Sequence, residues 1–360
     1  MRYLEPRTDV PAKDDWSTRL VLEENRFSTE HKIVSVIAVV TFVVCFFVPM
    51  TAGNIAAIVV LGFMLFMNVL SPLIGLAGRR AKRRGLLNEP WRRVPATVAD
   101  NDDEPWDLLL LDGMALKGSL HDLPEMVLDR QEVFVCGPDA DGRVMVRAAG
   151  FTAMRPAEVV DPGEYQAKER VERPLGRPAD DPAVQEVVAA TWIVTMVRVV
   201  TLFGVVVTGV LVALSVSPLA PTGLVAAALV ALPLLDLRMV LRNVRRQRDA
   251  QLAAERSEQW TPVPIRLFPE RPGHHLAGVA ELPDGPALVR FPNLVLEVVA
   301  NVADTKVMWI AGTHENVLAV GVPYVNSLTY AVVLPHGVTQ EGDPMSWWRR
   351  LRPQQRLGLP

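Results

Sequence analysis

Two long uncharged runs interrupt an otherwise mixed chain, Ile33 to Gly78 and Val199 to Leu235. One helical crossing of a bilayer needs about 20 apolar residues, so each run is long enough to cross twice. The first breaks at Pro49 to Asn54, a Pro, Thr, Gly and Asn turn, which predicts helices over about 33–50 and 55–76. The second breaks at Ser217 to Gly223, around Pro218 and Pro221, and predicts helices over about 199–216 and 219–235. The pattern therefore predicts an α-helical integral membrane protein with four transmembrane helices as two hairpins.

Basic residues follow each hairpin. Arg79, Arg80, Lys82, Arg83 and Arg84 come after the first, and Arg238, Arg242, Arg245, Arg246 and Arg248 after the second. Short loops rich in Arg and Lys stay on the cytoplasmic side, so a multi-pass protein of the cell membrane with both termini cytoplasmic is expected. Arg79, Arg80, Lys82, Arg83, Arg84, Arg242, Arg245 and Arg246 are expected to grip anionic headgroups. Trp347 and Trp348, flanked by Arg349 and Arg350, would anchor the tail in the same interface.

Between the apolar runs the pattern shortens to the two-residue alternation of strands, and part of it repeats. Trp91, Val94 and Pro95 after the first basic cluster match Trp260, Val263 and Pro264 after the second, a shared Trp-x-x-Val-Pro. Apolar strands ending in glycine, Val133 to Gly137 and Val307 to Gly312, follow in the same order. An internal duplication is expected, each copy a hairpin, a basic segment and a small β-rich module. Strands are expected at 94–98, 107–111, 133–136 and 144–147 in the first module. In the second they are expected at 264–268, 294–299, 306–311, 317–322 and 330–334. Each module is expected to be a small barrel or sandwich, or the two could pair their edges into one sheet.

The resulting domain map places an N-terminal arm at 1–32, hairpin 1 at 33–78, and the basic segment with module 1 at 79–160. A linker at 161–188 precedes hairpin 2 at 189–237, a basic helix at 238–259, module 2 at 260–338 and a Trp/Arg tail at 339–360.

Composition narrows the chemistry. Half of the residues are hydrophobic, and the net charge of −3 excludes a nucleic-acid binder acting through overall positive charge. The dominance of Arg over Lys, with abundant Ala and Val, is the usage of a high-GC bacterial genome. Two cysteines, Cys45 and Cys136, allow no disulfide framework or cysteine-based metal site. No phosphate-binding Gly-rich loop, dinucleotide fingerprint, Gly-x-Ser-x-Gly elbow or Cys-x-x-Cys is present. His274, His275, His314 and His336 lack metal-ligand spacing, so no catalytic residue, cofactor or metal is expected.

Polar groups inside the apolar runs remain: Asn68, Arg198 and Asp236. At about 1.5 Å per residue, Asn68 and Asp236 would lie at similar depths and could line an ion path with Arg198 as counter-charge. The competing expectation is that Arg198 reaches the headgroups and Asp236 pairs with it or meets water.

The layout of a short hairpin plus a β-module, with strands Val133 to Cys136 and Val144 to Arg147 joined through Gly137-Pro138, resembles that of the NfeD-like membrane proteins. The resemblance implies a small OB-type barrel and a scaffold or membrane-organising role, and it carries no functional residues. The sequence therefore predicts a non-enzymatic docking, scaffold or regulatory platform. A protein partner, anionic lipid and a second copy of the chain are the expected contacts; a small channel around Asn68 and Asp236 and a membrane-bound enzyme are the alternatives.

Overall fold

The computed structural model describes residues 1–24, 76–100, 106–120, 123–163, 165–170, 175–182, 184–186, 188, 241–242, 244–268, 276–292 and 295–334. Helix α1 (Trp16–Glu24) lies in the N-terminal arm, and α2 (Leu76–Arg83) precedes the first set of strands. These are β1 (Arg92–Val98), β2 (Asp107–Leu111), β3 (Met114–Gly118), β4 (Glu132–Cys136), β5 (Arg143–Arg147) and β6 (Arg155–Val160), with α3 (Leu123–Arg130) between β3 and β4. Helix α4 (residues 244–256) leads into the second set. This comprises β7 (Thr261–Leu267), β8 (Leu276–Leu282), β9 (Gly285–Phe291), β10 (Val307–His314), β11 (Val317–Val322) and β12 (Val325–Val333), with α5 (Leu296–Thr305) between β9 and β10.

Each set closes into a barrel of antiparallel strands. The order is β1-β2-β3-β6-β5-β4 in one and β7-β8-β9-β12-β11-β10 in the other. The topologies are the same, with a helix at the same place in each. Alternation sends one face of every strand inward, so Leu109, Leu116, Val133 and Val146 fill the first barrel and Val263, Val289, Met308 and Leu318 the second.

The Trp-x-x-Val-Pro segments open β1 and β7. Trp91 and Trp260 are buried, Val263 points into its barrel, and Pro95 and Pro264 face outward, where their lack of an N–H is tolerated. The next N–H in each strand, of Ala96 or Ile265, donates to the carbonyl of Gln131 or Lys306 at 3.0 Å. Both acceptors are left-handed residues ending α3 and α5, with φ of 55° and 59°. Gly137 follows the last residue of β4 with φ of 104°, whereas Gly312, with φ of 139°, lies inside β10 beside a shift in register, so that strand runs past the glycine at which the sequence pattern ended it. A Cβ on Gly137 would meet Leu86 at 2.6 Å, and one on Gly312 would run into the carbonyl of Ala253. In the first barrel the segment after α2 packs on Gly137, and in the second α4 itself packs on Gly312.

The expectation of an α-helical membrane protein is corrected by this architecture. The described chain is built around two closed six-stranded barrels, and no helix among the described residues is long and apolar enough to cross a membrane. The expected multi-pass placement in the cell membrane with cytoplasmic termini is corrected on the same finding. The hairpins at 33–78 and 189–237 fall almost wholly on residues 25–75 and 189–240, outside the described residues. The alternative of one sheet shared by the modules is replaced by two barrels, because closure leaves neither with a free edge to offer. The strand expected at 294–299 is helix α5: Val298 and Val302, with Val299 and Ala303, form a stripe at helical spacing against the barrel.

The N-terminal arm holds the first barrel and touches the second. Asp15 caps α1, its Oδ2 accepting from the Thr18 N–H at 2.8 Å and the Ser17 hydroxyl at 2.6 Å. The same oxygen lies 3.5 Å from Nη1 of Arg147, and both side chains are fully buried. Arg147 also donates from Nη1 to Ser17 Oγ at 2.9 Å and from Nε to the Phe151 carbonyl, and Trp91 Nε1 donates to Thr18 Oγ1 at 3.1 Å. Burial pulls the Arg147 pKa down to about 10, against the opposing pull of Asp15. Further along the arm, the Leu4 N–H donates to Asn301 Oδ1 at 2.9 Å, Asn301 Nδ2 donates to the Gly150 carbonyl, and Thr152 donates to Glu297 at 2.9 Å. Val322 and Val325 of the second barrel join the apolar cluster of the first.

Removing one partner of a buried ion pair strands the other charge. Arg147→Met is expected to lower stability to chemical denaturant by about 3–5 kcal/mol. Arg147→Met combined with Asp15→Asn should cost less than the two single changes together, and a loss of well under ~1 kcal/mol for Arg147→Met would contradict the arrangement. Gly312→Ala, which meets both the Ala253 carbonyl and a positive φ, should lower the melting temperature by several degrees, whereas Gly113→Ala, with open space around its Cβ position, should cost only the strain of its φ.

Candidate functional site

Among the described residues a cleft of about 720 Å³ lies on the first barrel, between α2 and the outer face of β3, β6 and β5. Helical spacing builds one wall. Ala77, Arg80, Ala81 and Arg84 recur at i, i+3, i+4 and i+7, so one face of α2 and its last turn presents two small residues and two guanidinium groups. On the opposite side Gly78 allows close approach to Leu22 and Met154.

Strand register builds the other wall. Lys117 of β3 pairs with Glu158 of β6, and Glu158 with Arg143 of β5, giving a transverse row of cation, anion and cation. Gly118 lets β3 approach β6, since its Cβ would sit 2.8 Å from the Pro156 carbonyl. The β4–β5 turn steers the arginines. Asp139 Oδ1 accepts from the N–H groups of Asp141 and Arg143 at 3.0 and 2.9 Å, and Asp141 lies 3.0 Å from Arg143 Nη1 and 4.0 Å from Arg84 Nη1. The Arg143 and Asp141 side chains are 39% and 64% exposed, so this pair contributes at most about 1 kcal/mol and yields readily to a competing anion. Met145, Pro156 and Leu86 supply apolar surface, and Trp106, 49% exposed, stands at the margin.

The second barrel has a different arrangement at the corresponding place. Val94 pairs with Val133 as Val263 pairs with Met308, and following the register round each barrel equates Arg143, Glu158 and Lys117 with Val317, Val332 and Arg290. Val317, Val332 and Tyr330 are buried in one cluster with Ala250, Ala253 and Ala254 of α4. The helix preceding the second barrel therefore seals the face that lies open in the first. The same alignment equates Arg147 with Gly321, whose Cβ position is 2.9 Å from the Trp260 ring.

The residues singled out from sequence divide three ways. Arg80 and Arg84 line the cleft, Arg79 is half-buried, and Lys82 and Arg83 are exposed on α2. Arg242 and Arg245 are exposed and Arg246 half-buried in the helical segment before the second barrel. Trp91, Val94, Pro95, Trp260, Val263 and Pro264 are elements of the barrels rather than of a site. Asn68, Arg198, Asp236, Trp347 and Trp348 lie outside the described residues. Lys117, Arg143 and Glu158 carry no local signal in the sequence, because only strand register brings them together, and Trp106, just before β2, joins them only through the fold. The spacing of Arg80 and Arg84 was readable as a helix face.

Among the described residues no group of three or more His, Cys, Asp or Glu could hold a metal ion. No family model matches the chain, and no curated protein or solved structure matches it.

Cys136 lies behind the cleft floor, its thiol donating to the Leu86 carbonyl at 3.0 Å. Burial pushes its pKa up to about 11, so at pH 8 it is a buried, protonated thiol. In a Cys45→Ser background it should react with an aromatic disulfide reagent only on unfolding; stoichiometric labelling of the folded protein within minutes would contradict this.

Proposed function

We propose that the protein is a non-enzymatic docking platform whose point of engagement is the cleft of the first barrel. The observation that supports this most is the difference between the repeats: the face that α4 seals on Val317 and Val332 is, in the first barrel, an open row of Lys117, Glu158 and Arg143 opposite Arg80 and Arg84. A face needed only for folding is best served by apolar contact with its helix, as in the second barrel. Exposed charge around an apolar floor instead costs no folding energy to expose and recognises a partner of complementary chemistry. The second barrel and the N-terminal arm supply the frame, through Leu4, Asn301 and Thr152. The scaffold role that the NfeD-like layout of the sequence implies agrees with this reading.

A photo-crosslinking amino acid in place of Trp106, introduced into the full chain in cells, tests this. A discrete adduct that disappears with Arg84→Glu and Arg143→Glu together is the expected result. An adduct pattern indifferent to those charge reversals, or no adduct from this position, contradicts the proposal.

A further inference from the structure

The chemistry of the cleft narrows what enters it. Its floor is apolar at Ala81, Leu86, Met145 and Pro156, so a fully hydrated inorganic anion would leave that surface uncovered. Its rim carries Arg80, Arg84, Lys117 and Arg143 against Glu158 in the lining and Asp139 and Asp141 beside Arg84, a surplus of one cation, so a neutral apolar molecule would bring this surplus no anion. The volume of about 720 Å³ is that of a small-molecule site rather than the footprint of a folded domain. In the second barrel the corresponding apolar surface is covered by alanines of α4.

We infer that the cleft takes a single-chain amphiphile with a phosphate monoester head. The chain lies on the floor between α2 and β5–β6, and the head is held among Arg84, Arg143 and Lys117. Guanidinium groups bind phosphate oxygens in bidentate fashion, and the phosphate displaces the exposed Asp141 carboxylate from Arg143. The head has to carry the charge because Asp141 lies near both Arg84 and Arg143 and marks the place where an anion is already stabilised. This inference rests on the docking reading and gives the chemistry of the group that docks.

Calorimetry on the full chain, with dodecyl phosphate kept below its micelle concentration, tests it against inorganic phosphate and dodecyl maltoside. One molecule of dodecyl phosphate should bind per chain, at least about tenfold more tightly than either control. Arg143→Glu and Lys117→Glu should each weaken it by about tenfold or more with an unchanged melting temperature, and Trp106→Phe should remove the accompanying fluorescence change. Equal affinity for inorganic phosphate would reduce the cleft to an anion site, and equal affinity for dodecyl maltoside would reduce it to an apolar groove; either overturns the inference. Absence of dodecyl phosphate binding overturns it too, and the Trp106 crosslink then separates the readings. A charge-dependent adduct leaves docking standing with a different occupant, whereas no such adduct removes both.

Discussion

Much of the described structure depends on one buried charge. Arg147 sits on β5 where the other barrel has Gly321, and a guanidinium cannot be placed there without an anion supplied from elsewhere. The N-terminal arm supplies it: Asp15 both caps α1 and faces Arg147, while Thr18 joins the cluster to Trp91. The arm is thereby fixed over the end of the first barrel, and its first residues reach Asn301 and the second barrel. Without that anion the cost of burying Arg147 would fall on the barrel itself. The second barrel fills the corresponding space with the Trp260 ring over a glycine and needs no arm.

The two barrels share topology, helix placement and the Trp-x-x-Val-Pro opening, and they differ where side chains face outward. In one, valines accept α4; in the other, Lys117, Glu158 and Arg143 hold the surface open opposite α2. Inward positions are constrained by close packing, whereas outward ones are free to change. The cleft is thus a change on one outer face of a frame used twice.

How much of this was legible in the sequence follows from the range of each interaction. Trp91 and Trp260, with their Val and Pro, stood out because the pattern is local and repeated; the strand end before Gly137 followed it, whereas β10 runs on past Gly312 through a shift in register. Residues 294–299 read as a strand because β-branched residues dominate, although the four-residue spacing of Val298 and Val302 already marked a helix. The small apolar residues of α2 read as the foot of a membrane hairpin, when their spacing also described a wall for Arg80 and Arg84. Asp15 and Arg147 could not be paired from sequence, nor could Lys117, Glu158 and Arg143 be aligned, because each set meets only after the barrel has closed.

In the proposed function the charged row keeps the first barrel's face open for a partner, and this role is testable. It is tested most directly by giving that face the residues of the second barrel, Arg143→Val with Glu158→Val, and measuring dodecyl phosphate binding and thermal stability on the same full chain. Binding should be lost while the melting temperature stays level or rises, as α2 closes over the new apolar surface. Binding retained at its original strength in the double variant would contradict it.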